Sequence, residues 1–287
     1  MDAALASAIE KAVGSAVATS RRVHGGDVAV AYRCDLADGR RVFAKTHRRP
    51  PPGFFSTEAG GLAWLADSST VLVPEVLAVS DDDPALLVLS WIERGRTAAG
   101  TDGELGRQLA ALHRSGAPCF GRSDRRTTGS RALPNEPAAT WGEFYAASRL
   151  LPLARLARDG AALPASSIAG LETLAGRLDG FAGAEEPPDR LHGELWAGNR
   201  MVGAGVRSWL IDPAAHGGHR EFDLAMMRLF GGFEPSCFDA YAEAFPLAVG
   251  WEERIALHQI APLVVHAIKF GGGYGPAARA AIERYVD

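Results

Sequence analysis

The hydrophobic pattern of this chain changes character near residue 93, and that change limits the folds open to it. Before this point, segment 28–36 alternates apolar residues with smaller or polar ones, which is the period of a half-buried strand. After it, Leu105, Leu109 and Leu112 form one apolar stripe at helical spacing. We therefore predict a bilobal α+β fold, with a small antiparallel sheet in residues 1–93 and a mostly helical lobe in residues 94–287.

Turn and capping signals between the periodic segments predict the order of the elements. Asp38-Gly39 tolerates the positive φ angles of a tight turn, so a hairpin is expected between segment 28–36 and a strand over 41–46. Thr101 and Glu104 have the spacing of a capping box, which marks the start of a helix. The other predicted elements are a helix over 56–66, strands over 76–80 and 85–92, and helices over 141–158, 166–181, 222–230, 236–245 and 251–270, the last kinked at Pro262.

Charge and cysteine usage exclude several classes of protein. The 287 residues carry a formal net charge of −4 with scattered basic residues, whereas a nucleic-acid surface needs a concentrated basic face. The three cysteines lie far apart, which favours neither a disulfide framework nor a CxxC metal site and suits a reducing cytoplasm. Residues 1–18 lack the pattern of a signal peptide, and the apolar segment 257–270 is too short and too polar to span a bilayer. We expect neither nucleic acid nor membrane as a partner.

The stretch from His192 to Asp212 carries acidic and amide side chains at a distinctive spacing. Glu194 follows His192 by two residues, Asn199 lies five residues further on, and Asp212 comes after a short predicted hairpin. Phosphoryl transfer needs a group that orients an attacking hydroxyl and hard oxygen ligands that hold Mg²⁺ against the phosphates. We therefore interpret Glu194 as the acceptor of the hydroxyl proton, and Asn199 and Asp212 as ligands of Mg²⁺. The alternative is an ordinary turn rich in Gly and Asn.

Three features of the first lobe suit the binding of a nucleotide. Gly25, Gly26 and Asp27 lie in a predicted turn between strands, where small residues let backbone N–H groups approach phosphate oxygens. Lys45 on a strand and Glu58 on the next helix are of the types that pair and present a lysine to the α- and β-phosphates. Alone, each feature has a plainer explanation as a hairpin turn, a surface lysine or a glutamate at the start of a helix.

Taken in order along the chain, these motifs resemble the fructosamine kinase family. The resemblance runs from about residue 15 to residue 274 and includes segments 25–27, 43–45, 55–59, 192–199, 211–214 and 218–226. It implies a protein-kinase-like fold with ATP in the cleft between the lobes. It also implies phosphorylation of ketosamines, the sugar-amine conjugates that form when sugars glycate amines.

The resemblance further implies a role for each candidate residue. Position 194 is the base, and segment 86–93 is the last strand and the hinge, where backbone groups read adenine. The implied nucleotide-binding residues are Gly25, Gly26, Asp27, Lys45, Glu58, Trp91 and Ile92. The implied ligands of Mg²⁺ are Asn199 and Asp212, and the implied contacts of the sugar-amine substrate are Trp196 and His266.

Three polar residues near the loop are assigned to structure rather than to chemistry. Asp223 starts a predicted helix and, by likeness to kinases, accepts hydrogen bonds from the backbone of the catalytic loop. His216 and His219 lack a third ligand at metal spacing, so we predict that they are loop or core histidines. No metal other than Mg²⁺ is expected.

The chain departs from the family pattern at two positions. Glu194 stands where the family has Asp, and Lys269 stands where a His is expected. One alternative is an aminoglycoside- or choline-type phosphotransferase, against which the run 218–223 favours the fructosamine kinase type. Another is an ATP-binding pseudokinase, which Glu194 favours and the intact Lys45 and Asp212 oppose. The sequence leaves open the glycated amine, the phosphorylated hydroxyl and the oligomeric state.

Overall fold

A five-stranded antiparallel sheet lies in the first lobe of the computed structural model, which describes residues 1–23, 29–124, the backbone of 127–128, 133–178 and 186–286. Its strands are β1 (Val17–Val23), β2 (Val30–Leu36), β3 (Arg41–Thr46), β4 (Val76–Ser80) and β5 (Leu86–Ser90). Their spatial order is β1-β2-β3-β5-β4, so β2, β3 and β5 are inner strands. β2 and β3 pair across the Asp38-Gly39 turn with Asp35 opposite Arg41, which confirms the predicted hairpin.

Two helices cover the two faces of this sheet, and β5 shows why. Successive side chains of a strand point to opposite faces. Leu86 and Val88 therefore pack on the side of the first helix, whereas Leu87 and Leu89 pack on the side of the second. These helices are α1 (Ala3–Val13) and α2 (Phe54–Ala66). α1 was not predicted from the sequence; the carboxylate of Asp2 caps its first turn.

The second lobe is mostly helical, as predicted. Its helices are α3 (Thr101–Arg114), α4 (Trp141–Tyr145), α5 (Leu151–Asp159), α6 (Ala165–Ala175), α7 (Glu221–Phe230), α8 (Pro235–Ala244), α9 (Trp251–Phe270) and α10 (Tyr274–Glu283), with a π-helical turn, Ala146–Leu150, between α4 and α5. Short antiparallel pairs join β6 (Thr127–Thr128) to β7 (Leu133–Pro134), β8 (Asp189–Leu191) to β11 (His216–Gly218), and β9 (Arg200–Val202) to β10 (Ser208–Leu210). α3 packs on α8, and α9 packs against both α7 and α10.

The capping box predicted at Thr101 and Glu104 is wrong. Gly100, at a φ of 86°, is the residue that caps α3, so Thr101 already lies in the first turn. Its hydroxyl instead accepts from the N–H of Ala98 at 2.9 Å and donates to the carbonyl of Ala98 at 2.8 Å. A complete capping box occurs where α4 begins, formed by Thr140 and Glu143.

One other predicted helix is shorter than expected, and one helix of the second lobe was not predicted. The helix predicted over 166–181 ends at Ala175, where Gly176 follows with its low helix propensity. Part of that prediction, residues 179–181, lies outside the described residues. The helix over 251–270 is confirmed and contains Pro262, whereas α10 was not predicted.

The chain crosses from the first lobe to the second beside the β9–β10 hairpin. The N–H of Gly95 donates to the carbonyl of Val202 at 2.9 Å, and the N–H of Ala204 donates to the carbonyl of Glu93 at 2.8 Å. This crossing sets the end of β5 next to the segment that carries Asn199. In the part of the chain that the structure describes, none of the helices is both long enough and apolar enough to cross a membrane.

Candidate active site

The loop between β8 and β9 is fixed by the buried carboxylate of Asp223, near the start of α7. One oxygen accepts from the N–H of His192 at 2.8 Å, and the other accepts from the N–H of Gly193 at 2.9 Å. Nε2 of His113 lies 3.3 Å from the first of these oxygens. The prediction that Asp223 holds the backbone of this loop is thereby confirmed.

His113, at the end of α3, belongs to this network and was not predicted from the sequence. Its Nε2–H donates to Asp223, so its Nδ1 accepts from the hydroxyl of Tyr241 at 2.8 Å. Burial would raise the pKa of Asp223, but the hydrogen bond from His113 helps to hold that pKa below its ordinary value. The available signal was its position four residues after Leu109, on the apolar stripe of α3, where a histidine needs buried partners.

We expect Asp223→Ala to lower the free energy of unfolding by at least about 3 kcal/mol, since each buried polar group left without a partner costs roughly 1–3 kcal/mol. The unpaired groups are the N–H groups of His192 and Gly193 and the ring of His113. Asp223→Asn should cost less, because its carbonyl oxygen still accepts one of these bonds. Urea unfolding followed by circular dichroism measures both, and an alanine variant as stable as wild type would contradict the assigned role.

His192 and Gly193 determine the shape of the loop. Nδ1 of His192 accepts from the N–H of Glu194 at 3.2 Å, and its Nε2–H donates to the carbonyl of Ile211 at 3.0 Å. Burial lowers the pKa of His192, which keeps the ring neutral in this arrangement. Gly193 has a φ of 78°, and a Cβ there would lie 2.1 Å from the carbonyl oxygen of Ala214, so only glycine fits. The half-buried Glu194 is therefore attached to a firmly held backbone.

The alternation of β3 turns Lys45 toward α2, which carries Glu58. Nζ of Lys45 donates to Oε1 of Glu58 at 2.8 Å and also contacts the carboxylate of Asp212. Lys45 is 5% exposed, so this ammonium group depends on its two carboxylate partners. Three predicted site residues, two from the first lobe and one from the second, thus meet between the lobes.

One ammonium group faces two carboxylates in this cluster. Burial would lower the pKa of Lys45, but Glu58 and Asp212 raise it above its ordinary value. Burial would likewise raise the pKa of Asp212, but the ammonium group of Lys45 brings it below its ordinary value. Burial raises the pKa of Glu58, and the neighbouring carboxylate of Asp212 adds to that increase. A cation bound beside Asp212 would favour the ionised form of both carboxylates.

Asn199 and Asp212 fit a hard divalent cation. Nδ2 of Asn199 donates to the carbonyl of Glu194 at 2.9 Å and approaches the carbonyl of Asp212 at 3.4 Å, so Oδ1 is the atom suited to ligation. Asp212 has a φ of 51°, an uncommon backbone conformation that asparagine and aspartate tolerate best. Its side chain is 29% exposed, although it pairs with Lys45. An amide oxygen and a carboxylate oxygen are ligands that Mg²⁺ accepts, together with water and phosphate.

The other predicted site residues lie on other segments of the fold. Trp91 and Ile92 follow the end of β5 and precede the crossing between the lobes. Trp196 lies in the loop between β8 and β9 and is 40% exposed. His266 lies in α9, with its ring centroid 4.7 Å from that of Phe230. Gly25, Gly26 and Asp27 lie outside the described residues.

The sequence spacing indicated no further candidate metal ligand beside His219, but the fold brings Glu221 and His258 next to it. His219, Glu221 and His258 are buried, with ligand atoms within 4.8 Å of one another. Arg254 nevertheless donates to both oxygens of Glu221, at 2.9 and 2.5 Å. The N–H of Glu221 also donates to Nδ1 of His219 at 3.3 Å, so a neutral ring carries its proton on Nε2 and offers no lone pair to a metal. We therefore describe this group as a buried ion-pair network.

Stability is expected to fall as the pH drops from 6.5 toward 4, in part because of His219. Burial lowers the pKa of His219 to about 4, whereas an unfolded histidine takes up its proton near 6.5. The unfolded state therefore binds more protons in this window and gains stability relative to the folded state. Burial lowers the pKa of His216 to about 3, which acts in the same direction. Burial raises the pKa of Asp189 to about 6, which opposes the effect between pH 6 and its unfolded value.

In urea unfolding between pH 6 and 4.5, we expect His219→Gln to reduce the slope of the unfolding free energy against pH by about 1 kcal/mol per unit. The comparison between the two proteins at pH 7.5, where the ring is neutral in both states, gives the reference difference. Parallel curves for wild type and variant across this range would show that His219 takes up its proton equally in both states.

Comparisons with known proteins agree with this geometry. A family model described as fructosamine kinase matches residues 1–287. A probable ketoamine kinase of Enterococcus faecium is 33% identical over 268 residues, which cover 92% of this chain and 94% of that protein. A crystal structure of a candidate fructosamine-3-kinase from Thermobifida fusca is 38% identical, covers 98% of both chains and has a TM-score of 0.90.

More distant structures share the fold alone. A choline kinase of Streptococcus pneumoniae is 15% identical, covers 98% of both chains and has a TM-score of 0.63. Together with the sheet and helices described above, these neighbours confirm the predicted bilobal α+β architecture. The boundary at residue 93 and the roles of individual site residues stay predictions.

Proposed function

We propose, from the premise that this chain belongs to the fructosamine kinase family, that it transfers the γ-phosphate of ATP to a sugar hydroxyl of a ketosamine. The observation that carries this proposal is the buried ammonium group of Lys45 between Glu58 and Asp212, beside a catalytic loop held by Asp223. A lysine paired in this way suits the α- and β-phosphates of a nucleotide. The relative from Enterococcus faecium is named a probable ketoamine kinase, which supports the same substrate class.

In the proposed reaction, Glu194 accepts the proton of the sugar hydroxyl while the oxygen of that hydroxyl attacks the γ-phosphorus of ATP. The bond between that phosphorus and the β,γ-bridging oxygen breaks, and ADP leaves. Lys45 neutralises phosphate charge, and Glu58 keeps the lysine in position. The rigid backbone at His192 and Gly193 limits the movement of Glu194, which matters because a misplacement of about 1 Å can cost a hundredfold in rate.

Mg²⁺ is the metal that this site fits, with Asp212 and Asn199 as its protein ligands. When bound, it would neutralise the charge of the β- and γ-phosphates. Trp91 and Ile92 are proposed to line the adenine site, because they lie between β5 and the crossing to the second lobe. Gly25, Gly26 and Asp27 are proposed phosphate contacts on the resemblance of their motif alone. We place the enzyme in the cytoplasm, where ATP and Mg²⁺ are supplied.

ADP release in the presence of Mg-ATP tests the proposal directly. Conjugates of fructose with simple amines should stimulate ADP formation over the rate without acceptor, while free fructose, choline and an aminoglycoside should not. Stimulation by choline or the aminoglycoside alone would favour the related phosphotransferases of this fold. The same background rate with every acceptor would favour a pseudokinase, the reading that Glu194 alone suggests.

A further inference from the structure

Five aromatic side chains form a continuous row from the catalytic loop to the corner between α9 and α10. This aromatic row consists of Trp196, Phe230, His266, Phe270 and Tyr274. The ring centroids are 5.9 Å apart for Trp196 and Phe230, and 4.7 Å apart for Phe230 and His266. His266 lies 5.5 Å from Phe270 and 5.1 Å from Tyr274. The row begins two residues after Glu194, the proposed base.

Trp196 is presented to solvent in a fixed orientation. A Cβ at position 198 would lie 2.3 Å from the indole, so the ring lies directly over the backbone of Gly198. Phe230 meets the same ring edge-on, with an interplanar angle of 61°. The indole is nevertheless 40% exposed. A large ring held by two neighbours and still open to solvent is suited to contact a ligand.

The far end of the aromatic row is also exposed. Phe270, the last residue of α9, is 52% exposed. Nδ1–H of His266 donates to the carbonyl of Pro262 at 2.8 Å, which fixes the ring in the middle of the row. Nζ of Lys269 lies 4.8 Å from the centroid of Phe270, so an ammonium group stands over the ring at this end of the row. A contiguous apolar surface that begins beside the proposed base, Glu194, is typical of a ligand-binding surface.

We propose that the aromatic row binds the substituent on the amine of the ketosamine, and that this substituent is an uncharged aryl or alkyl group. The inference rests on the proposed function, because the sugar must lie at Glu194 for its amine to point along the row. The protonated amine next to the sugar is favoured by the face of Trp196. Beyond it, the apolar rings of the row favour an apolar substituent.

The test compares two fructose conjugates, one of methylamine and one of 4-phenylbutylamine, in wild type and Phe270→Ala. The methyl group adds a single carbon beyond the amine, whereas the phenylbutyl group continues from the amine along the row toward Phe270. We expect Phe270→Ala to lower kcat/KM for the phenylbutyl conjugate by about tenfold, the scale of one lost aromatic contact, and to change the methyl conjugate less than about twofold. Because Phe270 is exposed, the variant should fold, and its melting temperature checks this.

Val249→Ala is the matched control, since Val249 is a fully exposed apolar residue outside the aromatic row and should change neither substrate. An equal loss with both conjugates, or no loss with either, overturns the role of the row while leaving the kinase assignment intact. A wild-type protein that releases no ADP with either conjugate overturns the proposed function itself, and this inference with it. Failure of the proposed role of the row is thus seen in Phe270→Ala, whereas failure of the proposed kinase activity is seen in the wild-type protein.

Discussion

Mg-ATP is expected to raise the melting temperature of the wild-type protein by roughly 5 °C, and Asp212→Asn should remove most of that increase. A ligand that binds only the folded state stabilises it by about 2.7 kcal/mol at a hundredfold excess over its Kd. Asp212 offers the charged oxygen beside the Lys45 cluster. The amide keeps the shape of this side chain but removes the only anionic ligand among the two protein ligands proposed for the metal. Thermal unfolding with and without Mg-ATP measures the effect.

The comparison must use the increment in melting temperature that Mg-ATP gives to each protein, because Asp212→Asn also changes the stability of the nucleotide-free protein. Loss of the Asp212 carboxylate leaves Glu58 as the carboxylate partner of Lys45, so the melting temperature without nucleotide is expected to shift as well. Asp159→Asn, at the exposed end of α5, is the matched control and should keep the full increment. ATP with excess chelator should protect wild type and Asp212→Asn equally weakly. An undiminished increment in Asp212→Asn would mean that Asp212 is not a ligand of the metal.

Local pattern was sufficient to predict four of the five strands of the first-lobe sheet, β2 to β5, because each carries its own alternation and turn signals. The bounds of β3 and β4 agree with the prediction, and the turn at Asp38-Gly39 has the expected hairpin. The capping box failed at Thr101 because two residue types at the right spacing cannot show that the preceding Gly100 already caps the helix. α1 was not predicted from its alanine-rich sequence.

Long-range contacts of the site were predicted only where the family resemblance supplied them. Lys45 and Asp212 are 167 residues apart, and no local period joins them. His113 and Asp223 are 110 residues apart and were not linked, although each alone carried a signal of burial. Local spacing likewise did not indicate that His258 lies beside His219 and Glu221. Periodicity determines which side of an element a residue occupies, whereas the partner on that side depends on packing between elements.

Glu194→Asp is expected to raise kcat, and Glu194→Ala to lower it by about a hundredfold or more, the usual contribution of a positioned general base. Glu and Asp have the same carboxylate and similar intrinsic pKa values, so only the position of the base differs. The backbone at position 194 is fixed through His192 and Gly193, and it cannot easily retreat to accommodate the extra methylene. A displacement of about 1 Å can cost a hundredfold in rate, so we expect a slow but real kinase.

Glu194→Gln separates the length of the side chain from its chemistry, because it keeps the length and removes the base. It should be as slow as Glu194→Ala, while all three variants keep the thermal increment given by Mg-ATP, since the base acts on the acceptor. If Glu194→Asp were slower than wild type, the loop would be fitted to the longer side chain, and Glu would be the adapted base. If wild type and all variants released ADP at one background rate with every ketosamine, position 194 would perform no chemistry, and nucleotide binding without transfer would become the better account.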